Sequence, residues 1–264
     1  MISFIVNQIV KYRIGRDIIG RLFDFSKNKF HLTLKLLDIE PSIYLDVNSS
    51  PEVKYRITSV KREKTTMYWL SKLEKDAVLF DIGANVGCYS LIAAKKFDVK
   101  NICAFEPMPT NYLKCIQNVN QNNLLNHINV YPFAIDDENK IKTLSLSNNY
   151  EALISGSSGH QVREQSKKSE VKEELKPKIC VNCFTIDHLN NIIQKKPNYI
   201  KIDVDGREFE ILNGAKETLK SGHVKSLMVE INTNKEKIIN FLSEYGYEIS
   251  LQGEHGNTIF DRKI

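Results

Sequence analysis

Apolar residues fall into two periodicities that take turns along the chain. Short, nearly continuous runs at 77–82, 101–106, 128–135, 198–204 and 224–231 read as buried strands. Between them, segments 87–96, 109–122, 207–220 and 235–245 carry helical spacing. Strands alternating with helices predict a parallel sheet with crossover helices, because a parallel pair cannot be closed by a tight turn. Two late runs, 246–251 and 257–261, predict an antiparallel hairpin at the end of the chain. An amphipathic helix over 65–75 precedes the first core strand, and strand-like runs at Leu34–Ile39 and Ser42–Val47 precede that. The pattern therefore predicts an α/β fold, with a main domain over residues 61–264 and an N-terminal appendage of helix and short strands over 1–60.

The segment 155–178 breaks the pattern: it is rich in Ser, Gly, Lys and Glu and poor in apolar residues, so it contributes little core. It reads as a polar surface loop or a solvated charged helix, and alternatively as a lid over a substrate site, with His160 inside it. Charge changes the picture at the other end. The formal net charge is +5, and residues 1–35 carry all of it, with Lys11, Arg13, Arg16, Arg21, Lys27, Lys29 and Lys35 against Asp17 and Asp24. Ile5, Ile9, Tyr12, Ile18, Ile19, Leu22 and Phe23 recur there at near-helical spacing. This reads first as a helix packed on the main domain with a basic face in water, and second as attachment to anionic lipid or a charged, lipid-linked glycan. Nucleic acid is a poorer fit, since no stacking aromatics interleave the basic residues. Neither a signal peptide nor a membrane span is expected, and the five cysteines, an odd number, fit a reducing cytoplasm. Placement at the inner face of the membrane is the second expectation. Cys180 and Cys183 have metal-type spacing but no second pair, and a strand would send their sulfurs to opposite faces.

The chemistry begins at Val78–Gly87, where an apolar run ends in Asp81 and a turn containing Gly83, Asn85 and Gly87 before a helix. Glycines there permit positive φ and close backbone approach to a ligand. A dinucleotide-binding turn reads G-x-G-x-x-G and holds a pyrophosphate on backbone amides, where an added carboxylate is repulsive. Asp81 instead suits a cationic ligand such as the amino group or sulfonium of S-adenosylmethionine. The next strand ends in Phe105-Glu106-Pro107, 25 positions beyond Asp81, so Glu106 is the candidate for ribose hydroxyls. The third strand ends at Ala134, Ile135 and Asp136, the expected adenine contacts.

These segments, Asp81-Ile-Gly-Ala-Asn-Val-Gly87, Phe105-Glu-Pro107, Phe184-Thr-Ile-Asp187, Lys201-Ile-Asp-Val-Asp-Gly-Arg-Glu208 and Val229-Glu-Ile231, resemble in order and spacing the FkbM-type S-adenosylmethionine-dependent methyltransferases. The resemblance covers roughly residues 60–235; Asp205 stands where that family usually has Glu, and Cys88 where an aromatic is common. It implies a Rossmann-like class I methyltransferase with a seven-stranded, mostly parallel sheet closed by a C-terminal antiparallel hairpin. It also implies O-methylation of a hydroxyl, most often of a sugar in a glycan, glycolipid or natural product, with S-adenosylhomocysteine as the by-product.

Within Lys201–Glu208, a strand period of two sends Lys201, Asp203 and Asp205 in one direction. Charges in a central strand are costly unless paired or functional. Asp203 is therefore the first candidate for contacting the acceptor or taking its proton, with Lys201, Asp205 and Glu208 in support. A buried Lys201–carboxylate pair with an orienting role is the competing reading. A divalent metal on Asp203 and Glu230, with Asn232 near, is an alternative that is not favoured. A nicotinamide-dependent oxidoreductase, or a non-catalytic binding protein on a methyltransferase fold, are the rivals from other classes.

Overall fold

The computed structural model describes residues 2–26, 31–50, 52–145, 161–162 and 178–263. Helices α1 (Ile2–Ile9) and α2 (Arg13–Ser26) lead to a two-stranded antiparallel sheet of β1 (Leu32–Lys35) and β2 (Tyr44–Val47). A single wide turn of π-helix, Glu52–Arg56, and helices α3 (Ser59–Arg62) and α4 (Lys64–Leu70) follow. The core alternates β3 (Val78–Ile82), α5 (Cys88–Phe97), β4 (Asn101–Phe105), α6 (Pro109–Gln121) and β5 (Ile128–Tyr131). Beyond it lie β6 (Ala134–Ile135), β7 (Lys140–Ser145), β8 (Gln161–Val162), β9 (Lys178–Phe184) and α7 (Ile186–Ile192). The chain then runs through β10 (Tyr199–Ile202), α8 (Glu208–Asn213), α9 (Lys216–Lys220), β11 (Ser226–Glu230), α10 (Lys235–Glu244), β12 (Tyr247–Gln252) and β13 (Asn257–Arg262).

Seven strands form the main sheet in the order β12-β13-β11-β10-β3-β4-β5, parallel except where β13 pairs antiparallel with β11 and β12. This is the expected seven-stranded sheet with its terminal hairpin. Chain order reverses between β3 and β10, and in doubly wound sheets a ligand crevice opens beyond the carboxyl ends of the strands at that reversal. Strand alternation sorts the two faces. Phe80 and Ile82 of β3 and Ile200 and Ile202 of β10 pack with α7 to α10, whereas Leu79 and Tyr199 pack on the opposite side with α5, α6 and the β1–β2 hairpin.

Residues on either side of the expected 60/61 boundary share that second cluster: Leu34, Leu45, Val53 and Ile57 are fully buried with Leu91, Ile92 and Val119. Asn118 on α6 and Asn122 just past its end bind the edge of β2, with Asn118 Oδ1 accepting from Asp46 N at 2.7 Å and Asn122 Oδ1 from Tyr44 N at 2.9 Å. Lys114 and Glu52 add a buried ion pair at 2.6 Å. Together these fix the Glu52–Arg56 turn against the main sheet.

Three expectations need correction. The run 128–135 is two strands, because Pro132 has no amide for a ladder, and β6 joins β9 in a separate four-stranded sheet, β6-β9-β7-β8. The 207–220 helix divides after Asn213, where Gly214 lies so close to Asp136 that a Cβ would sit 2.3 Å from its carbonyl oxygen. The helix at 65–75 covers only Lys64–Leu70. Within β9, Cys180 is exposed and Cys183 buried, as the strand period requires. Expectations for 155–178, including His160, lie outside the described residues apart from β8 and Lys178.

Candidate active site

A cavity of about 420 Å³ opens at the carboxyl ends of β3, β4, β10 and β11. Its floor is the turn after β3. Gly83 adopts φ +78°, and a Cβ there would sit 2.0 Å from the carbonyl oxygen of Asp203, so only glycine lets this turn approach the end of β10. Gly87, at φ +82°, precedes α5 and packs on Cys115. Asn85 takes φ +53°, a conformation that asparagine tolerates better than most side chains.

The amides of this turn all have partners inside the protein. Gly83 N and Ala84 N donate to the Phe105 carbonyl, Gly87 N donates to the Ala84 carbonyl, Asn85 N to Glu106 Oε2 and Val86 N to Asn85 Oδ1. None of the five amides from Gly83 to Gly87 is left free for a ligand phosphate. The lining also holds six acids, Glu52, Glu63, Glu106, Asp203, Asp205 and Glu230, and three guanidiniums, Arg56, Arg62 and Arg207.

Glu106 is buried in the lining, with Oε1 accepting from Met108 N at 2.9 Å and Oε2 from Asn85 N at 2.8 Å. Burial pushes its carboxyl up to about 7 despite those two amides. The Asn111 side chain also hydrogen-bonds to this carboxyl, whose remaining acceptor capacity can meet a ligand hydroxyl. Beside it, Asn111 lines the cavity with a buried Oδ1 that has no hydrogen-bond partner among the described residues, an atom suited to a ligand donor. Phe105, Pro107, Met108, Phe133, Ala134, Ile135 and Leu144 supply an apolar wall at this end, where a flat ring fits.

At the other end, register builds a column of charge. Lys201 lies opposite Asp81 across β10 and β3, and opposite Met228 across β10 and β11, so Asp81, Lys201, Asp203 and Glu230 share the α5 face of the sheet. The Lys201 Nζ donates to Asp203 Oδ2 at 2.7 Å, lies 3.6 Å from Asp81 Oδ1 and sits 4.9 Å over the Tyr89 ring. Burial opposes its charge, but the two carboxylates outweigh burial and raise its pKa. Asp203, half buried and in the lining, is likewise opposed by burial; the Lys201 ammonium and a hydrogen bond from Glu230 hold its carboxyl well below the usual range. Glu230 moves the other way, pushed up to about 9 by burial and by the neighbouring Asp203 carboxylate. The two acids thus hold one proton between them, on Glu230, and Asp203 presents a carboxylate to the cavity.

The other sequence candidates lie behind this surface. Asp81 is buried, accepts from Ser90 Oγ at 2.6 Å and does not line the cavity; it faces Lys201 below the turn. Asp136 is also outside the lining, its carboxylate held by Lys142 at 2.7 Å and Arg207 at 2.5 Å. Glu208 is buried, with Oε1 accepting from Gly206 N at 3.0 Å and Asn232 Nδ2 at 3.2 Å, so it ties down the 203–208 turn. Asp205 lines the cavity. Asp187 accepts from Glu217 N and Thr218 N and joins α7 to α9.

Sequence reasoning missed Tyr89, Asn111 and the 52–63 segment that brings Glu52, Tyr55, Arg56, Arg62 and Glu63 to the cavity. Arg62 stacks over the Tyr55 ring at 4.9 Å, and Arg56, partly buried, adds positive charge that favours the ionised forms of Asp203 and Glu106. Among the described residues, no group of three or more His, Cys, Asp or Glu side chains is placed to hold a metal ion.

Residues 81–249 match the model of the methyltransferase FkbM domain. The chain is 24% identical over 197 residues, 74% of each protein, to the hexuronic acid methyltransferase AglP of Haloferax volcanii. A solved FkbM methyltransferase from Methylobacillus flagellatus is similar at 16% identity and a TM-score of 0.47, over 80% of this chain and 53% of that one, about half its length. The precorrin-6y C5,15-methyltransferase of Geobacter metallireducens is similar at 16% identity and a TM-score of 0.45, over 76% and 89% of the two chains.

Proposed function

The chain belongs to the FkbM methyltransferase domain family, and from that premise we propose that it is an S-adenosylmethionine-dependent O-methyltransferase acting on a sugar hydroxyl. The observation that carries the donor is Glu106, which lines the cavity at the end of β4 beside a turn whose amides from Gly83 to Gly87 are all internally bonded. A carboxyl at this strand end fits a ribose, and the family match favours a methyl donor over a nicotinamide dinucleotide. The Asp203 carboxylate in the lining suits a sulfonium, and the wall of Phe133, Ala134, Ile135 and Leu144 suits an adenine.

Bound there, S-adenosylmethionine supplies an electrophilic methyl group on a positively charged sulfur. The protein's own contribution is to align a hydroxyl with it, exclude water and receive one proton. Asp203 carries that last role. Its carboxylate accepts a hydrogen bond from the acceptor hydroxyl, and the proton would move to it as the C–O bond forms and the methyl C–S bond breaks, with S-adenosylhomocysteine as the leaving group. A weakly basic carboxylate is sufficient, because an alcohol oxygen becomes strongly acidic as it gains a methyl group. Lys201 and protonated Glu230 keep Asp203 ionised and in place beforehand. Asp81 acts from below as a positioning residue through Ser90 and Lys201.

The relative from Haloferax volcanii is named for hexuronic acid, a sugar that carries a carboxylate. Arg56 in this cavity gives such a carboxylate a cationic partner, which favours an acidic sugar as acceptor. The test is mass spectrometry of a panel of neutral and uronic sugars, free and glycosidically linked, incubated with isotopically labelled S-adenosylmethionine. A label on a hydroxyl oxygen, strongest among the uronic acids, is the expected result. A label on nitrogen or carbon acceptors alone contradicts the O-methyl assignment.

A further inference from the structure

The N-terminal helices leave apolar side chains in water where a packed appendage should bury them. Among the described residues, fourteen large apolar side chains are exposed, and six belong to α1, α2 and the corner between them: Ile5, Ile9, Tyr12, Ile14, Ile18 and Leu22. Singly scattered exposed apolar residues are ordinary, but this clustering on two short helices is not. Tyr12 is 71% exposed and Ile14 75% exposed. Ile14, Ile18 and Leu22 are spaced by four, so they form one stripe along α2, and Val6, Val10 and Ile19 on the other side are buried in the core.

The two helices meet at a fixed corner. A Cβ on Gly15 would sit 2.0 Å from the Ile9 carbonyl oxygen, and the Arg16 guanidinium donates to the Val10 carbonyl at 2.8 Å and the Lys11 carbonyl at 3.2 Å. These contacts fix α2, and with it the stripe, relative to α1. Basic residues flank it: Lys11, Arg13 and Arg21 are exposed beside it, and the acid Asp17 lies 3.8 Å from the Lys54 ammonium. No helix among the described residues is long and apolar enough to cross a membrane.

We propose that the exposed face of α1 and α2 docks on an anionic lipid bilayer. An apolar stripe edged with arginine and lysine on an otherwise polar surface is the arrangement by which a helix lies in the plane of a membrane interface. Apolar side chains enter the headgroup boundary, and the flanking cations meet lipid phosphates. The surface is also joined to the active site. Gly20 of α2 packs on the 48–56 segment, where a Cβ would lie 2.6 Å from Ser50 Oγ, and that segment supplies Glu52, Tyr55 and Arg56 to the cavity. The helix that carries the stripe therefore packs, through its buried side, on the segment that supplies the cavity, which suits an acceptor tethered to lipid.

The experiment is sedimentation of the full chain with vesicles of phosphatidylcholine alone and of phosphatidylcholine mixed equally with phosphatidylglycerol. The mixed vesicles should carry the protein down at low salt, and raising the salt should release it. Arg13→Glu with Arg21→Glu should weaken partitioning roughly thirtyfold or more, as expected for two basic residues near an anionic surface. Ile14→Glu with Ile18→Glu should abolish it while S-adenosylhomocysteine binding is unchanged, a check that the variants fold. Equal partitioning onto neutral vesicles, no partitioning onto anionic ones, or insensitivity to both double substitutions overturns the proposal. A dimer in light scattering that the Ile14 and Ile18 substitutions dissociate overturns it in favour of a second copy of the chain.

Discussion

Replacing Asp203 with Asn separates its chemical role from its structural one. The substitution keeps the shape of the side chain and removes the proton acceptor. A positioned general base contributes about 10²–10⁴ in rate, equivalent to roughly 3–5 kcal/mol of barrier at about 1.4 kcal/mol per decade. Turnover should fall by that factor. The fold should survive, because Lys201 keeps a second carboxylate. Coulomb attraction scales inversely with distance. At one effective dielectric, Asp81 at 3.6 Å offers Lys201 about three quarters of the attraction that Asp203 offers at 2.7 Å. Lys201 stays charged, and the stability loss should be about 1–3 kcal/mol, the usual effect of disturbing a partnered buried charge. Glu230→Gln is the control. Protonated Glu230 donates a hydrogen bond to Asp203, and the Gln amide can donate the same bond, so turnover should stay within a few-fold of the parent. The assay is single-turnover methyl transfer at saturating donor, with calorimetric donor binding and thermal unfolding for each variant. Equal losses in Asp203→Asn and Glu230→Gln refute the reasoning, since Glu230 then needs its own charge as a base or a metal ligand.

Four other outcomes follow from the same geometry. The ribose contact assigned to Glu106 strengthens on ionisation, so donor affinity should be about tenfold weaker near pH 6 than at its plateau near pH 8, and Glu106→Gln should flatten that dependence in calorimetry. The same group, with its folded pKa raised above the ordinary 4.5, should make unfolding measurements show stability falling as pH rises from about 4.5 through 7, because the folded chain holds the proton more tightly. Gly83→Ala and Gly246→Ala both force a positive φ, costing about 1–2 kcal/mol and a few degrees of Tm each; only Gly83→Ala also displaces the Asp203 carbonyl, so it alone should lose turnover. Arg56→Met should raise KM for a uronic acceptor roughly tenfold or more with little change for a neutral sugar, a split read from initial rates.

The parts of the site legible in the sequence are those built by short segments. Gly83, Asn85 and Gly87 fall within one turn, where local backbone demands dictate residue type, whereas Asp81 at the strand end stands behind the cavity lining and not in contact with it. Glu106 follows from the fixed length of a strand–helix–strand unit, and the shared direction of Lys201 and Asp203 from the strand period. What patterning could not supply was side chains that meet across long separations. Lys201 as a partner of Asp81 depends on the β3–β10 register; the sequence paired Asp203 with Glu230 only as a metal site, and their sharing of a proton depends on the β10–β11 register. The approach of Arg56 rests on the Glu52–Lys114 ion pair and on Asn118 and Asn122 binding β2, contacts with no local motif. The split at Pro132 was readable, since a proline inside a run argues against a continuous central strand. The exposed stripe of α2 was half legible: spacing revealed the apolar periodicity, but only the packing of Val6, Val10 and Ile19 shows which side is buried.

The central claim is that the cavity beyond β3 and β4 is a methyl-donor site, and isothermal titration of the purified chain with S-adenosylhomocysteine and, separately, with NAD tests it most directly. Saturable binding of S-adenosylhomocysteine that Glu106→Ala weakens, with no heat from NAD, is the predicted result. Binding of NAD with no response to S-adenosylhomocysteine would contradict it.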